Sequence, residues 1–161
     1  MKNIQSGHGK TVIFDLDVTL ADIDVRRKKA TKSNGNLDWD VFFDADNIKL
    51  DKPNAAVVNM AQLFAEDVFR IVIFSGRNDR SFLTTKSWLT RNRVPFHQLV
   101  MRPDKFKDKS FPVAAGNPAV SNMRFMPDEI LKKAMLDIFV DIDDVFLVVD
   151  DRDKVVKMWR D

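Results

Sequence analysis

Apolar residues along this chain fall into two alternating patterns. Four short runs, at 11–14 (Thr11, Val12, Ile13, Phe14), 70–74, 98–101 and 145–149, are rich in β-branched and aliphatic residues, the third being the weakest. Short runs without polar alternation predict strands buried on both faces of a parallel sheet. Between them, 54–66 carries Val57, Val58, Ala61 and Phe64 at helical spacing behind Pro53, which acts as a start signal. Residues 79–91 place Phe82, Leu83 and Leu89 on a helix that Asp79 would cap, and 128–139 shows the stripe Ile130, Leu131, Ala134, Met135 and Ile138. A closing helix is predicted over 153–160. Strands alternating with helices predict βαβ units with right-handed crossovers: an α/β fold with a Rossmann-like, doubly wound, mainly parallel sheet and helices on both faces.

Two stretches break the alternation. Residues 20–52 form a long excursion after the first strand, holding the basic run Arg26, Arg27, Lys28, Lys29 and the aromatic cluster Trp39, Phe42 and Phe43. Residues 102–127 are loop-like, with several prolines and Lys105, Lys107 and Lys109. Loops of such length are usually functional or mobile. A chain of 161 residues, 45% of them hydrophobic, suits one domain over 1–161 with insertions at about 20–52 and 102–127. The formal charge of +2 lacks the basic excess of a dedicated nucleic-acid binder, so such a partner must be held by a local patch. With no cysteine, disulfides, thiol nucleophiles and cysteine-ligated metals are excluded. Residues 1–10 contain neither an apolar signal core nor an Arg/Ser-rich leader, and no run approaches a membrane span; the expectation is a cytoplasmic protein without a membrane partner.

In an open α/β sheet, ligands bind beyond the carboxyl ends of the strands. The three strongest runs end in Asp15-x-Asp17-x-Thr19, in Ser75-Gly76-Arg77 and in Asp150-Asp151, and parallel strands bring these ends to one rim. Carboxylates meeting there repel one another unless a hard cation sits among them, and oxygen ligands favour Mg²⁺. That cation would screen a phosphate from the carboxylates, so that Asp15 approaches phosphorus in line while Arg77 and Ser75 hold the equatorial oxygens. Phosphoryl transfer follows as the reaction class. Singly, each piece has an ordinary reading, since Asp pairs after strands often cap the next helix. The three polar strand ends in order point to catalysis.

These residues resemble the haloacid-dehalogenase-like phosphohydrolases from Thr11 to Arg160, through Phe14-Asp15-Leu16-Asp17-Val18-Thr19-Leu20, Ser75, Lys132 and Asp150-Asp151. The resemblance implies a small or absent cap, a nucleophilic Asp15 that becomes an aspartyl-phosphate, and an Asp17 that protonates the leaving oxygen and then activates water. It also implies that Thr19 orients Asp17 and that Ser75 and Lys132 bind the phosphoryl group. Mg²⁺ would be held by Asp15, Asp17 through its backbone carbonyl, and the Asp150/Asp151 pair. A narrower resemblance, to the 3′-phosphatase domain of phage polynucleotide kinase-phosphatase and its bacterial relatives, rests on Ser75-Gly76-Arg77, Asp128 four residues before Lys132, and Asp150-Asp151-Arg152 with Met158-Trp159-Arg160. It implies substrate-binding roles for Arg26, Gly76 and Arg77, with Asp128 as the acidic partner of the lysine. Val18 departs from the pattern, standing where glycine is usual, and the 20–52 excursion is longer than in the phage enzyme.

Other signals carry two readings. The run Arg26 to Lys29 suits a nucleic-acid backbone or a solvated face. Trp39, Phe42 and Phe43 suit base stacking or core packing, the latter favoured for Phe42 or Phe43. Lys133 is the solvated neighbour of Lys132, or the ligand if the motif is displaced by one residue; His8 and His97 lack a second ligand at metal spacing. The leading expectation is a polynucleotide 3′-phosphatase acting on DNA or RNA ends. The alternatives are a phosphatase of nucleotides or other small monoesters, and a non-catalytic nucleic-acid-binding accessory.

Overall fold

The computed structural model describes residues 9–103 and 126–161. The expected lysine-bearing loop, apart from its ends, and His8 lie outside the described residues. Strand β1 (Thr11–Asp15) is buried at every position. An insertion follows, built from β2 (Ala21–Asp22), α1 (Asp24–Ala30), α2 (Trp39–Phe42), α3 (Ala45–Ile48) and β3 (Lys52–Pro53). The chain then runs through α4 (Ala55–Glu66), β4 (Arg70–Asn78), a 3-10 turn at Asp79–Ser81, α5 (Phe82–Arg91) and β5 (Gln98–Arg102). After the undescribed segment come α6 (Asp128–Phe139), β6 (Val145–Val149) and α7 (Asp153–Arg160).

The four main strands pair in parallel in the order β5-β4-β1-β6, so β1 and β4 lie at the centre. Their side chains alternate between two cores, as the period of two requires. Val12, Phe14, Ile71 and Ile73 join Val58 and Ala61 of α4 and Trp88 and Leu89 of α5. Ile13, Val72 and Phe74 face the other way, onto Leu131, Met135 and Leu136 of α6, with Trp159 of α7 beside them. Helices thus cover both faces of the sheet. Each fully buried aliphatic or aromatic side chain contributes about 1.5–3 kcal/mol, which explains why uninterrupted apolar runs mark the central strands.

The excursion after β1 is a small helical cap rather than a loop. Asp38 and Asp44 start its two shortest helices, each carboxylate accepting bonds from two backbone amides of the following turn. At its base, Ala21 pairs with Pro53 and Asp22 with Lys52 in an antiparallel ribbon. Helices of four residues are too short to display a hydrophobic period, so the sequence pattern passes over them. Strand β4 also outruns the apolar segment that predicts it, reaching Asn78. Asn78, not Asp79, caps the next turn, its side chain accepting from the Arg80 amide at 3.0 Å.

The turn between β1 and the cap is tight. Backbone amides of Leu20 and Ala21 both bond the Leu16 carbonyl, and the Val18 amide bonds the Ala21 carbonyl at 2.8 Å. This geometry holds Val18 at φ 71°, a left-handed conformation that a β-branched residue rarely adopts. Replacing Val18 by glycine is expected to relieve the strain and raise unfolding stability by roughly 1 kcal/mol in a denaturant titration. A loss of stability in Val18→Gly would refute the strain argument.

Candidate active site

Asp15 ends β1 with its carboxylate enclosed. Its Oδ1 accepts from Lys132 Nζ at 2.7 Å and its Oδ2 from the Thr19 hydroxyl at 3.0 Å. Thr19 therefore positions Asp15 here, rather than Asp17 as the resemblance implied. Lys132 is carried in by α6, buried to 1% exposure, and also bonds Asp150 Oδ2 at 2.6 Å. Its neighbour Lys133 points to solvent and pairs with Asp137, because one residue turns a helix by about 100°. Trp159 braces the site from α7, stacked on Phe74, with its Nε1 donating to Asp150 at 3.5 Å.

Carboxylate oxygens of Asp15, Asp150 and Asp151 lie within 4.8 Å of one another, with the ammonium of Lys132 as their counter-charge among the described residues. Burial pushes the Asp15 carboxyl up to about 7; Lys132 pulls against that shift and Asp150 adds to it. Burial, then Asp150, also raises Asp151. Burial opposes the charge on Lys132, but Asp15 and Asp150 outweigh it and hold the ammonium above its usual range. An all-oxygen donor set with uncompensated negative charge fits a hard divalent cation. The Asp17 side chain stands outside this group.

Asp17 is instead held by two arginines. Its Oδ1 accepts from Arg26 at 2.8 Å and from Arg77 Nε and NH2 at 2.8 and 2.5 Å. Both guanidinium groups are fully buried and also bond Asp51, Arg26 through Nε at 2.9 Å and Arg77 through NH2 at 2.8 Å. Burial works against the Asp17 anion, but Arg77 and Arg26 outweigh it and hold the carboxyl below the ordinary range. Arg26 and Arg77 thus meet Asp17 from beneath and do not line the cavity. Ser75 is likewise turned into its own loop, its Oγ accepting the Arg77 amide at 3.1 Å. Asp51 carries no motif and escapes sequence reading.

Asp128, expected to partner Lys132, is clamped instead by Arg102 from β5 and Arg152 from the start of α7. One helical turn separates Asp128 from Lys132 along α6, but Lys132 pairs with Asp15 and Asp150 instead, at 2.7 and 2.6 Å. Gly76 makes the clamp possible: a Cβ there would lie 2.9 Å from Asp128 Oδ1. Arg102 closes the arrangement by donating to the Gly76 carbonyl at 3.0 Å. Arg102 was legible in principle, as the polar residue ending the weakest strand. Above these groups opens a cavity of about 520 Å³, whose walls include Asp15, Asp17, Gly76, Asp128 and Asp151 together with Trp39 and Arg27 of the cap.

Fold and rim together define the class: a haloacid-dehalogenase-like phosphatase. Residues 9–115 match the family described as "Polynucleotide kinase PNKP phosphatase domain", and the chain belongs to that family. Among solved structures it is similar to a chain of the "Pnkp1/Rnl/Hen1 RNA repair complex" at 22% identity and TM-score 0.66, over 96% of this chain and 40% of that one. It is similar in the same way to a chain of a second "Pnkp1/Rnl/Hen1 complex" structure, at 22% identity and TM-score 0.65, over 96% of this chain and 43% of that one. The chain spans about two fifths of the length of these neighbours. Comparison with curated protein sequences gives no match. No helix among the described residues is long and apolar enough to cross a membrane.

The electrostatics give two expected outcomes. Because the folded pKa of Asp15 lies above its unfolded value of 3.8, the native state holds the extra proton, and stability is lost as pH rises from about 4 to about 7. In chelator, Asp15→Asn should gain on the parent protein across that window, by up to about 1.4 kcal/mol per pH unit, and level off above it. Denaturant melts at half-unit pH steps read this directly, and a constant difference would refute it. Asp51→Ala leaves two buried guanidinium groups short of a counter-charge and should cost about 3–5 kcal/mol by the same method.

Proposed function

We propose that the chain is a Mg²⁺-dependent polynucleotide 3′-phosphatase working through an aspartyl-phosphate on Asp15. The observation that carries this reading is the Asp15 carboxylate, fixed by Thr19 and Lys132 beside Asp150 and Asp151 at the floor of the cavity, in a member of the PNKP phosphatase family. The chemistry constrains the roles. Asp15 attacks phosphorus, the bond to the 3′ oxygen breaks, and the leaving oxygen takes a proton from Asp17. A water then attacks the acyl phosphate, giving its proton to Asp17 and restoring Asp15.

Asp17 has the position for both transfers, since it lines the cavity and its three guanidinium bonds all fall on Oδ1, which leaves Oδ2 for the proton. Held as an anion by Arg26 and Arg77, it suits the second step directly. For the first step, the negative charge of an incoming phosphoryl group raises its proton affinity. Arg26 and Arg77 position this acid–base group from below. Lys132 offsets part of the carboxylate charge and fixes Asp15 through its 2.7 Å bond; to bind a phosphoryl oxygen it would have to leave one of its two carboxylate partners. Asp15, Asp150 and Asp151 are the residues that would hold Mg²⁺, with the Asp17 carbonyl as a further oxygen; when bound, the ion supplies charge screening between phosphate and carboxylates.

Phosphate release with and without Mg²⁺ tests this reading, comparing a 3′-phosphorylated oligonucleotide, its 5′-phosphorylated counterpart and a panel of mononucleotides. The 3′ end should be preferred, Asp15→Asn should lose at least about a thousandfold in rate, and salt should inhibit through the exposed Arg27, Lys28 and Lys29. Preference for mononucleotides would replace the polynucleotide substrate with a small one. Absence of Mg²⁺-dependent turnover on every substrate would overturn the enzymatic reading.

A further inference from the structure

The cap aromatics are divided by the fold. Phe42 is packed in the core at 6% exposure, with the Arg26 guanidinium 4.3 Å from its ring centroid. Trp39, on the same helix, is 59% exposed. Its ring lies nearly parallel to Phe43, with centroids 5.8 Å apart and 19° between planes, and Phe42 supports both rings edge-on at 5.5 and 5.1 Å. The other two tryptophans have structural partners: Trp88 is buried and donates to the Asp51 carbonyl at 2.9 Å, and Trp159 stacks on Phe74. A large aromatic surface fixed in place yet left in water is the unusual case, because exposure forgoes the burial free energy that such a ring offers.

Position gives this surface its meaning. Trp39, Phe42, Phe43 and Leu37 line the same cavity as Asp15. At about 520 Å³ the cavity is of small-ligand size, and a phosphoryl group at Asp15 fills only a fraction of it. The group attached to that phosphate must occupy the remainder, against an aromatic wall. Arg27 of α1 lines the cavity as well, next in sequence to the buried Arg26, and supplies positive charge to the same space. Flat apolar stacking surface in one cavity with a cation is the chemistry that receives a nucleobase on an anionic backbone.

We propose that the Trp39–Phe43 pair is the stacking platform for the nucleobase of the nucleotide that carries the scissile phosphate. The identity of the ligand rests on the polynucleotide reading above, but the platform can be tested without turnover. Stacking tolerates any of the bases, so the platform would register the presence of a base and not its sequence.

The test uses the full chain carrying Asp15→Asn, titrated with a 3′-phosphorylated oligonucleotide and with the same strand whose terminal nucleotide is abasic. Affinity is followed by strand anisotropy and by tryptophan emission, to which Trp39 is the solvent-exposed contributor. With Trp39 intact, the abasic strand should bind roughly 5- to 100-fold more weakly, and the strand with the base should quench the emission. Adding Trp39→Ala should make the two strands bind alike, and Trp39→Phe should restore most of the preference, which also shows that the cap still folds. Equal binding of both strands with Trp39 intact, or a base preference that persists undiminished in Trp39→Ala, would overturn the proposal. Base-dependent binding through Trp39 in a protein whose parent turns over no 3′-phosphate would sink the 3′-phosphatase reading and leave the platform standing.

Discussion

Two arginines, sealed from water beneath the cavity with Asp51, grip Asp17 in its wall and hold the site together. Arg26 comes from the first helix of the cap, Arg77 from the end of β4, Asp17 from the turn after β1, and Asp51 from the return of the cap to the sheet. Buried ion pairs of this kind add little net stability, because desolvation offsets most of the attraction. Their effect is positional. Each guanidinium is satisfied only when its own segment is seated with those of Asp17 and Asp51, so the orientation of Asp17 depends on all four segments together. The cluster also separates two neighbours on one strand end: Asp17 is steadied as an anion by cations, while Asp15, two residues away, is pressed by burial toward its neutral form. These shifts run opposite to the proposed roles. A nucleophilic Asp15 would need the charge of a cation at the Asp150/Asp151 rim to favour its anion, and an acidic Asp17 the negative charge of the substrate to favour its proton.

Lys132 and the Arg102–Asp128–Arg152 clamp extend the same logic to the second half of the chain. The first turn and a half of α6 feed both, Asp128 to the two arginines and Lys132 to Asp15 and Asp150. The helix is therefore pinned at two charges on its site-facing side while Leu131, Met135 and Leu136 anchor it to the sheet. Apolar packing sets the depth of α6, and the charged groups set its rotation.

The sheet was legible because β1, β4 and β6 are uninterrupted apolar runs whose polar ends stand out. Placing Asp15, Asp17, Asp150 and Asp151 on one rim needed only the parallel direction of those strands. What the pattern could not supply was side-chain direction at the rim. Thr19 bonds Asp15 and not Asp17, and Ser75 receives its own loop amide, because of local backbone geometry that residue spacing does not encode, while Asp128 turns from Lys132 to Arg102 and Arg152 through contacts remote in sequence. Asp51 was invisible for a related reason: an isolated acidic residue between two lysine-bearing segments reads as surface until two arginines close over it. Two of the cap helices escaped because four residues make barely one turn, too few for a hydrophobic period to repeat.

The ribbon at the base of the cap has an evolutionary consequence. Since Ala21 pairs with Pro53, the chain leaves the sheet and returns to it at one point, and everything between can lengthen or shorten without displacing β1 or α4. The entropic toll for such growth rises only with the logarithm of length. Two positions inside the insert escape this freedom, Arg26 near its start and Asp51 at its end, because both reach under Asp17. Descendants of this fold could thus exchange the surface presented to the substrate wholesale, as one cassette, while inheriting the reaction centre unchanged.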